Sequence, residues 1–121
     1  MSLKLARLVV NIAAGASTGN GTFSPAAVGY LEELYLDYGQ TSAVTNVVIT
    51  EAGRSTPILT VSNNQTDGVY YPRAIAVNPA NSSFGSTGAV PIPLAGPLYV
   101  SITGGNVASP GLTVYAKVTA V

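Results

Sequence analysis

The sequence predicts an all-β fold, a single-domain antiparallel β-sandwich across residues 1–121, jelly-roll-like and of about eight strands. Three observations predict it. Apolar and polar residues alternate near the C-terminus: Leu98, Val100 and Ile102 interleave with Tyr99, Ser101 and Thr103, and Leu112, Val114, Ala116 and Val118 with Thr113, Tyr115, Lys117 and Thr119. Strict alternation gives a strand one buried and one wet face. Gly, Pro, Asn and Asp clusters recur about every eight to fifteen residues, the spacing of a sandwich or barrel. Only one stretch of the chain, 28–38, offers a helical pattern at all.

In order, residues 3–12 start the fold, with Leu8, Val10 and Ile12 on one strand face and Leu3, Leu5 and Val9 on the other. The segment also has the outline of a secretory signal, with Lys4 and Arg7 before a short apolar run and small residues at 14–16. Arg7 and Asn11 interrupt that run, so a first strand is the expectation. Residues 15–21 are turn material, with Asn20-Gly21 a turn pair, and Thr22-Phe23 a short edge strand ended by Pro25. Residues 28–38 admit two readings. Ser24, Pro25 and Gly39 would punctuate a helix bearing Leu31, Leu34, Tyr35 and Tyr38. A strand would set Leu34, Leu36 and Tyr38 against Glu33, Tyr35 and Asp37. Strands follow at 44–51, 58–62 and 69–77, the last with Pro72 at an edge or bulge. Residues 78–89 are a long loop. The runs 98–103 and 112–119, joined through Gly and Pro, read as a hairpin whose apolar face a second sheet covers.

Composition narrows function. Charged residues make up 8% of the chain, five basic against five acidic, far below the roughly 25% of an ordinary soluble domain. Weak self-repulsion favours association, as in a subunit packed among other proteins. Lys4, Arg7, Arg54, Arg73 and Lys117 are too scattered for the basic stripe that nucleic acid requires. The apolar fraction is 47%, but it is broken into short runs, none approaching the roughly 20 residues of a bilayer span. Neither nucleic acid nor a membrane is expected as a partner.

The chain contains no cysteine and no histidine, which removes thiolate sites and the His-based triads. Lys4 and Lys117 have no motif around them that would make a Ser-Lys dyad. Glu33 and Asp37 would share one exposed strand face, which is poor geometry for paired acid catalysis. The 63–67 loop offers calcium only Asp67 as a carboxylate. The expectation is a protein that is not an enzyme, with no catalytic residue, no cofactor and no metal. The distinctive local group is Tyr70-Tyr71-Pro72-Arg73. Tyrosine and arginine are enriched at interface hot spots, and a tyrosine stacked on Arg73 would present it to a partner carboxylate. The alternative is an internal ion pair or a snorkelling arginine. Leu3 and Leu5 join Tyr70, Tyr71 and Arg73 as candidate protein-interface residues.

Several segments, taken in order, are familiar: VGYLE at 28–32, VTNVVIT at 44–50, ILTV at 58–61, TDGVYYPR at 66–73, PIPLAGPLYV at 91–100 and VY at 114–115. Together they resemble the small β-sandwich decoration, or cement, proteins of tailed-bacteriophage capsids. The resemblance implies a virion structural protein on the outer capsid surface, bound to the major capsid protein. It also implies a homo-oligomer, with a trimer favoured, and no catalytic residues. Residues 1–7 would then be an arm lying on the shell or on a neighbouring protomer. Two other classes share this composition: a subunit of another phage assembly such as a tail or head fibre, and a carbohydrate-binding β-sandwich module using exposed tyrosines.

Overall fold

The computed structural model describes residues 2–11, 18–25, 28–39, 45–52, 57–75, 89–104 and 112–120. They form ten strands: β1 (Ser2–Val10), β2 (Thr18–Phe23), β3 (Gly29–Asp37), β4 (Thr45–Glu51), β5 (Leu59–Asn64), β6 (Gly68–Tyr70), β7 (Arg73–Ile75), β8 (Ala89–Leu94), β9 (Leu98–Thr103) and β10 (Leu112–Ala120). One sheet runs β1-β10-β3-β8-β7, with β6 also on β3, and the other runs β2-β9-β4-β5. All described pairings are antiparallel. Since β6 and β7 have three residues each, longer strands carry the sandwich, as the sequence predicts. The chain changes sheet after β1, β2, β3, β5, β8 and β9. This winding of two Greek keys around one core is the jelly roll.

β9 and β10 alternate as expected but do not form a hairpin. They lie in opposite sheets, and their apolar faces meet across the core. Leu98, Val100 and Ile102 come from one side, and Leu112, Val114 and Val118 from the other, each no more than 1% exposed. Alternation dictates which face of a strand is buried and leaves its neighbour undetermined.

The 28–38 segment forms strand β3 over Gly29–Asp37, with Leu34, Leu36 and the following Tyr38 buried in the core. Its ladder with β10 carries a bulge: Lys117 faces Glu33, Val118 faces Leu31, and Glu32 is the extra residue. The bulge lets Leu31 point inward with Leu34, which strict alternation forbids.

Three local expectations are corrected. Asn20 and Gly21 lie inside β2, not in a turn. β2 is an edge strand pressed on β1, where a Cβ on Gly19 would stand 2.6 Å from the Asn11 carbonyl oxygen. Glycine there serves close approach and not reversal. The predicted 69–77 strand is divided at Tyr71-Pro72 into β6 and β7, because proline has no N–H for the ladder. Residues 76–77 lie outside the described residues. Residues 1–7, expected as an arm, are drawn into the sheet from Ser2 onward, where β1 pairs with β10 residue by residue.

β8 is a strand despite Pro91 and Pro93. Its Ile92, Pro93 and Leu94 pair only with β3, while Ala89, Val90 and Pro91 pair only with β7. Each proline therefore has one side free for its missing donor.

Candidate interaction surface

Because β-strands alternate, the six-stranded sheet presents an outer face that can be built from register alone. Leu3 lies beside Thr119, and Thr119 beside Tyr30. Leu5 lies beside Lys117, which faces Glu33. Arg7, Tyr115, Tyr35 and Val69 form the next row across four strands. Leu3, Leu5, Val9, Tyr30 and Val69 are all exposed large apolar side chains on this face. Isolated exposed apolar residues are ordinary, and here Leu3 and Leu5 are same-face neighbours on β1 while Val9, Tyr30 and Val69 stand apart, separated by Arg7, Thr119 and Tyr35.

The polar groups of this face are mostly engaged with one another. Lys117 Nζ lies 3.8 Å from Glu33 Oε2. The Tyr35 and Tyr115 rings are tilted at 47° with centroids 5.9 Å apart. Partial burial, then the Asp67 and Asp37 carboxylates, hold the Tyr35 phenol above its usual 10.0. The bulge residue Glu32 accepts from the Thr119 hydroxyl at 2.8 Å.

Arg73 lies beyond β3 and is held by backbone. Its Nη1 donates to the carbonyl oxygens of Glu32 at 3.0 Å and Pro72 at 2.8 Å. The Tyr71 ring, itself exposed, stands 5.9 Å from the guanidinium carbon. No carboxylate pairs with Arg73 among the described residues. A guanidinium fixed by two carbonyls and an aromatic face retains donors for an external anion. Tyr70, named with it in the sequence, instead turns inward and packs half-buried on the core. Tyr71 and Arg73 thus stay on the surface together, and Leu3 and Leu5 stand at the far side of the same sheet on β1. What sequence reasoning missed was Glu32: the only signal was the adjacent pair Glu32-Glu33, which alternation cannot place on one face without a bulge.

The other sites weighed in the sequence hold structural contacts. Asp67 Oδ1 accepts the Tyr38 N–H at 2.8 Å, ending β3. Asn64 bonds the backbone of Thr66 in both directions. No group of three or more His, Cys, Asp or Glu suited to a metal occurs among the described residues. A depression of about 390 Å³ is lined by Val28, Tyr30, Pro93, Leu94 and Glu51. Its one carboxylate, Glu51, is 7% exposed and bonds the β8–β9 turn.

The class these features define is a jelly-roll β-sandwich whose outer sheet face carries exposed leucine, valine and tyrosine side chains among charged ones. No family model matches the sequence, and no curated protein does. Among solved structures, a chain from infectious bursal disease virus, Gx strain, aligns over 98% of this chain at 16% identity with a TM-score of 0.20. This chain covers 38% of the length of that one. A score of 0.20 carries no argument about fold or function.

Proposed function

We propose that this protein is a virion structural protein that decorates the outside of a bacteriophage capsid and braces the shell, self-associating and binding the major capsid protein. The observation that carries the reading is the outer face of the six-stranded sheet, where Leu3, Leu5, Val9, Tyr30 and Val69 stand exposed among the charged side chains Arg7, Lys117, Glu33 and Asp37. Such a face suits a protein that works by covering surface. Its chemistry at the edge is complementary: Arg73, set by Tyr71 and two carbonyls, offers a directed site for a shell carboxylate. The sequence resemblance to cement proteins supplies the shell as the partner.

The test is addition of the purified protein to particles lacking it. Decoration predicts saturable binding and a higher temperature of DNA release. No binding to the shell, with no change in release temperature, would contradict the proposal.

A further inference from the structure

Most strands at the sheet margins are blunted against pairing with another chain. β6 and β7 are three residues long. β2 contains Gly19 and Gly21, both pressed on β1. β5 pairs through a register shift and carries Asn63 at a φ of 52°. β1 has none of these features. It runs nine residues with neither proline nor glycine, its register with β10 is unbroken from Ser2 to Val10, and β10 is its one strand partner among the described residues. A long regular edge is a template for another strand, and folded proteins normally avoid leaving one.

The contacts from β2 fall at the end of β1, with Gly21 against Leu8 and Gly19 against Val10 and Asn11. The half from Ser2 to Arg7 carries Leu3 and Leu5. At 62% and 68% exposed, these are the two most exposed large apolar side chains among the described residues. The half of the edge clear of the described strands and the unburied leucines therefore coincide, with Lys4 and Arg7 as the charges on it.

We infer that β1 pairs with β1 of a second copy, antiparallel about a two-fold axis at Leu5, joining the two six-stranded sheets into one. Both copies must keep the same outer face, so only residues of equal parity face each other. An axis at Lys4 or Arg7 would set like charges directly opposite, which destabilises a strand pair. An axis at Ala6 would draw Val10 into the pairing, where Gly19 stands, whereas an axis at Leu5 reaches only as far as Leu8 beside Gly21. At Leu5, Leu3 faces Arg7 of the second copy and is covered by its aliphatic stem, while Lys4 faces Ala6 and Ser2 faces Leu8. Both cations then stand opposite uncharged residues, and the two copies of Lys4 are diagonal neighbours instead of directly opposed. The inference names the contact behind the proposed self-association, and it calls for an even-numbered assembly in place of the trimer the resemblance implies.

The chain has no cysteine, so single-cysteine variants of the full protein report the contact directly. Light scattering of the wild type should give twice 12.2 kDa or an even multiple. Leu5→Cys should cross-link under mild oxidation on the order of a hundredfold faster than Leu3→Cys or Val69→Cys, because an assembled pair reacts at millimolar effective concentration. Leu5→Lys should be a folded monomer, by the same light scattering and an unchanged circular dichroism spectrum. A monomeric or trimeric wild type, or Leu5→Cys cross-linking no faster than Val69→Cys, would overturn the inference. Particle binding is measured separately, so a dimer that ignores shells would remove the decoration reading alone, and a shell-binding monomer this inference alone.

Discussion

The Glu51 carboxylate holds the turn at Gly96. Its Oε2 accepts the N–H of Gly96 at 3.1 Å and of Ala95 at 2.7 Å, and the next residue, Ala52, donates to the Pro97 carbonyl at 2.8 Å. The end of β4 is thereby fastened to the point where the chain crosses from β8 in one sheet to β9 in the other. Hydrogen bonds to an ionised acceptor are stronger than neutral ones. Glu51→Gln should destabilise the protein by about 1 kcal/mol and Glu51→Ala by about 3 kcal/mol, since the alanine leaves both N–H groups without the acceptor. Urea unfolding of the two variants beside wild type checks the order and size.

Gly29 opens β3 where the strand meets β10. A Cβ there would lie 2.7 Å from the Thr119 carbonyl oxygen and 2.8 Å from a Val118 methyl. The first neighbour is backbone and cannot rotate away. Gly29→Ala should lower stability by roughly 1–3 kcal/mol, the range for forcing atoms into a packed site. A thermal melt matching wild type would show that β10 yields at no cost.

Tyr38 is 1% exposed, and its hydroxyl is buried with no hydrogen-bond partner in good geometry among the described residues, although Asn64 and Thr45 lie near. Burial pushes its phenol above 10.0, with the nearby Tyr70 and Asp67 adding to the rise. A raised folded pKa means that the folded state holds its proton longer than the unfolded chain. This group's contribution is therefore full below pH 10 and lost as pH rises above it. Tyr38→Phe should be neutral or stabilising at pH 7, since it removes an unsatisfied polar atom. It should also flatten the decline in stability above pH 10. Denaturation midpoints from pH 7 to pH 11 test both parts.

Tyr71 is exposed and its replacement should leave folding within about 0.5 kcal/mol, while Arg73→Ala gives up two hydrogen bonds to backbone carbonyls and should cost about 1 kcal/mol. If they meet a shell carboxylate, Arg73→Ala should weaken particle binding by roughly 2 kcal/mol, about thirtyfold, as expected for a hot-spot arginine. Arg73→Lys should recover only part of this, because an ammonium cannot reproduce the planar fork. Binding isotherms on particles lacking the protein give the three values.

Much of the fold was legible because alternation reports burial directly. Leu34, Leu36 and Tyr38 point inward as the strand reading of 28–38 requires, and Leu3, Leu5 and Val9 point outward. Pairing was not legible. β9 and β10 look like a hairpin in sequence, yet they belong to different sheets, because a wet-and-dry face fits either arrangement. The glycines of β2 mimicked a turn because turns and close backbone contacts select the same residue. The prolines of β8 hid a strand that pairs on only one side at each residue. At the surface, the composition of Tyr70-Tyr71-Pro72-Arg73 singles out four residues, of which Tyr71 and Arg73 are exposed while Tyr70 packs half-buried on the core. The placement of Arg73 depends on the Glu32 carbonyl, 41 residues away, and no local pattern encodes that contact.

The measurement that tests the decoration reading most directly is the copy number of this protein relative to the major shell protein, by quantitative mass spectrometry of purified particles from its source. Decoration predicts close to one copy per shell subunit or a fixed simple fraction of it. A few copies per particle would place the protein at a tail or vertex, and its absence from particles would contradict the virion reading altogether.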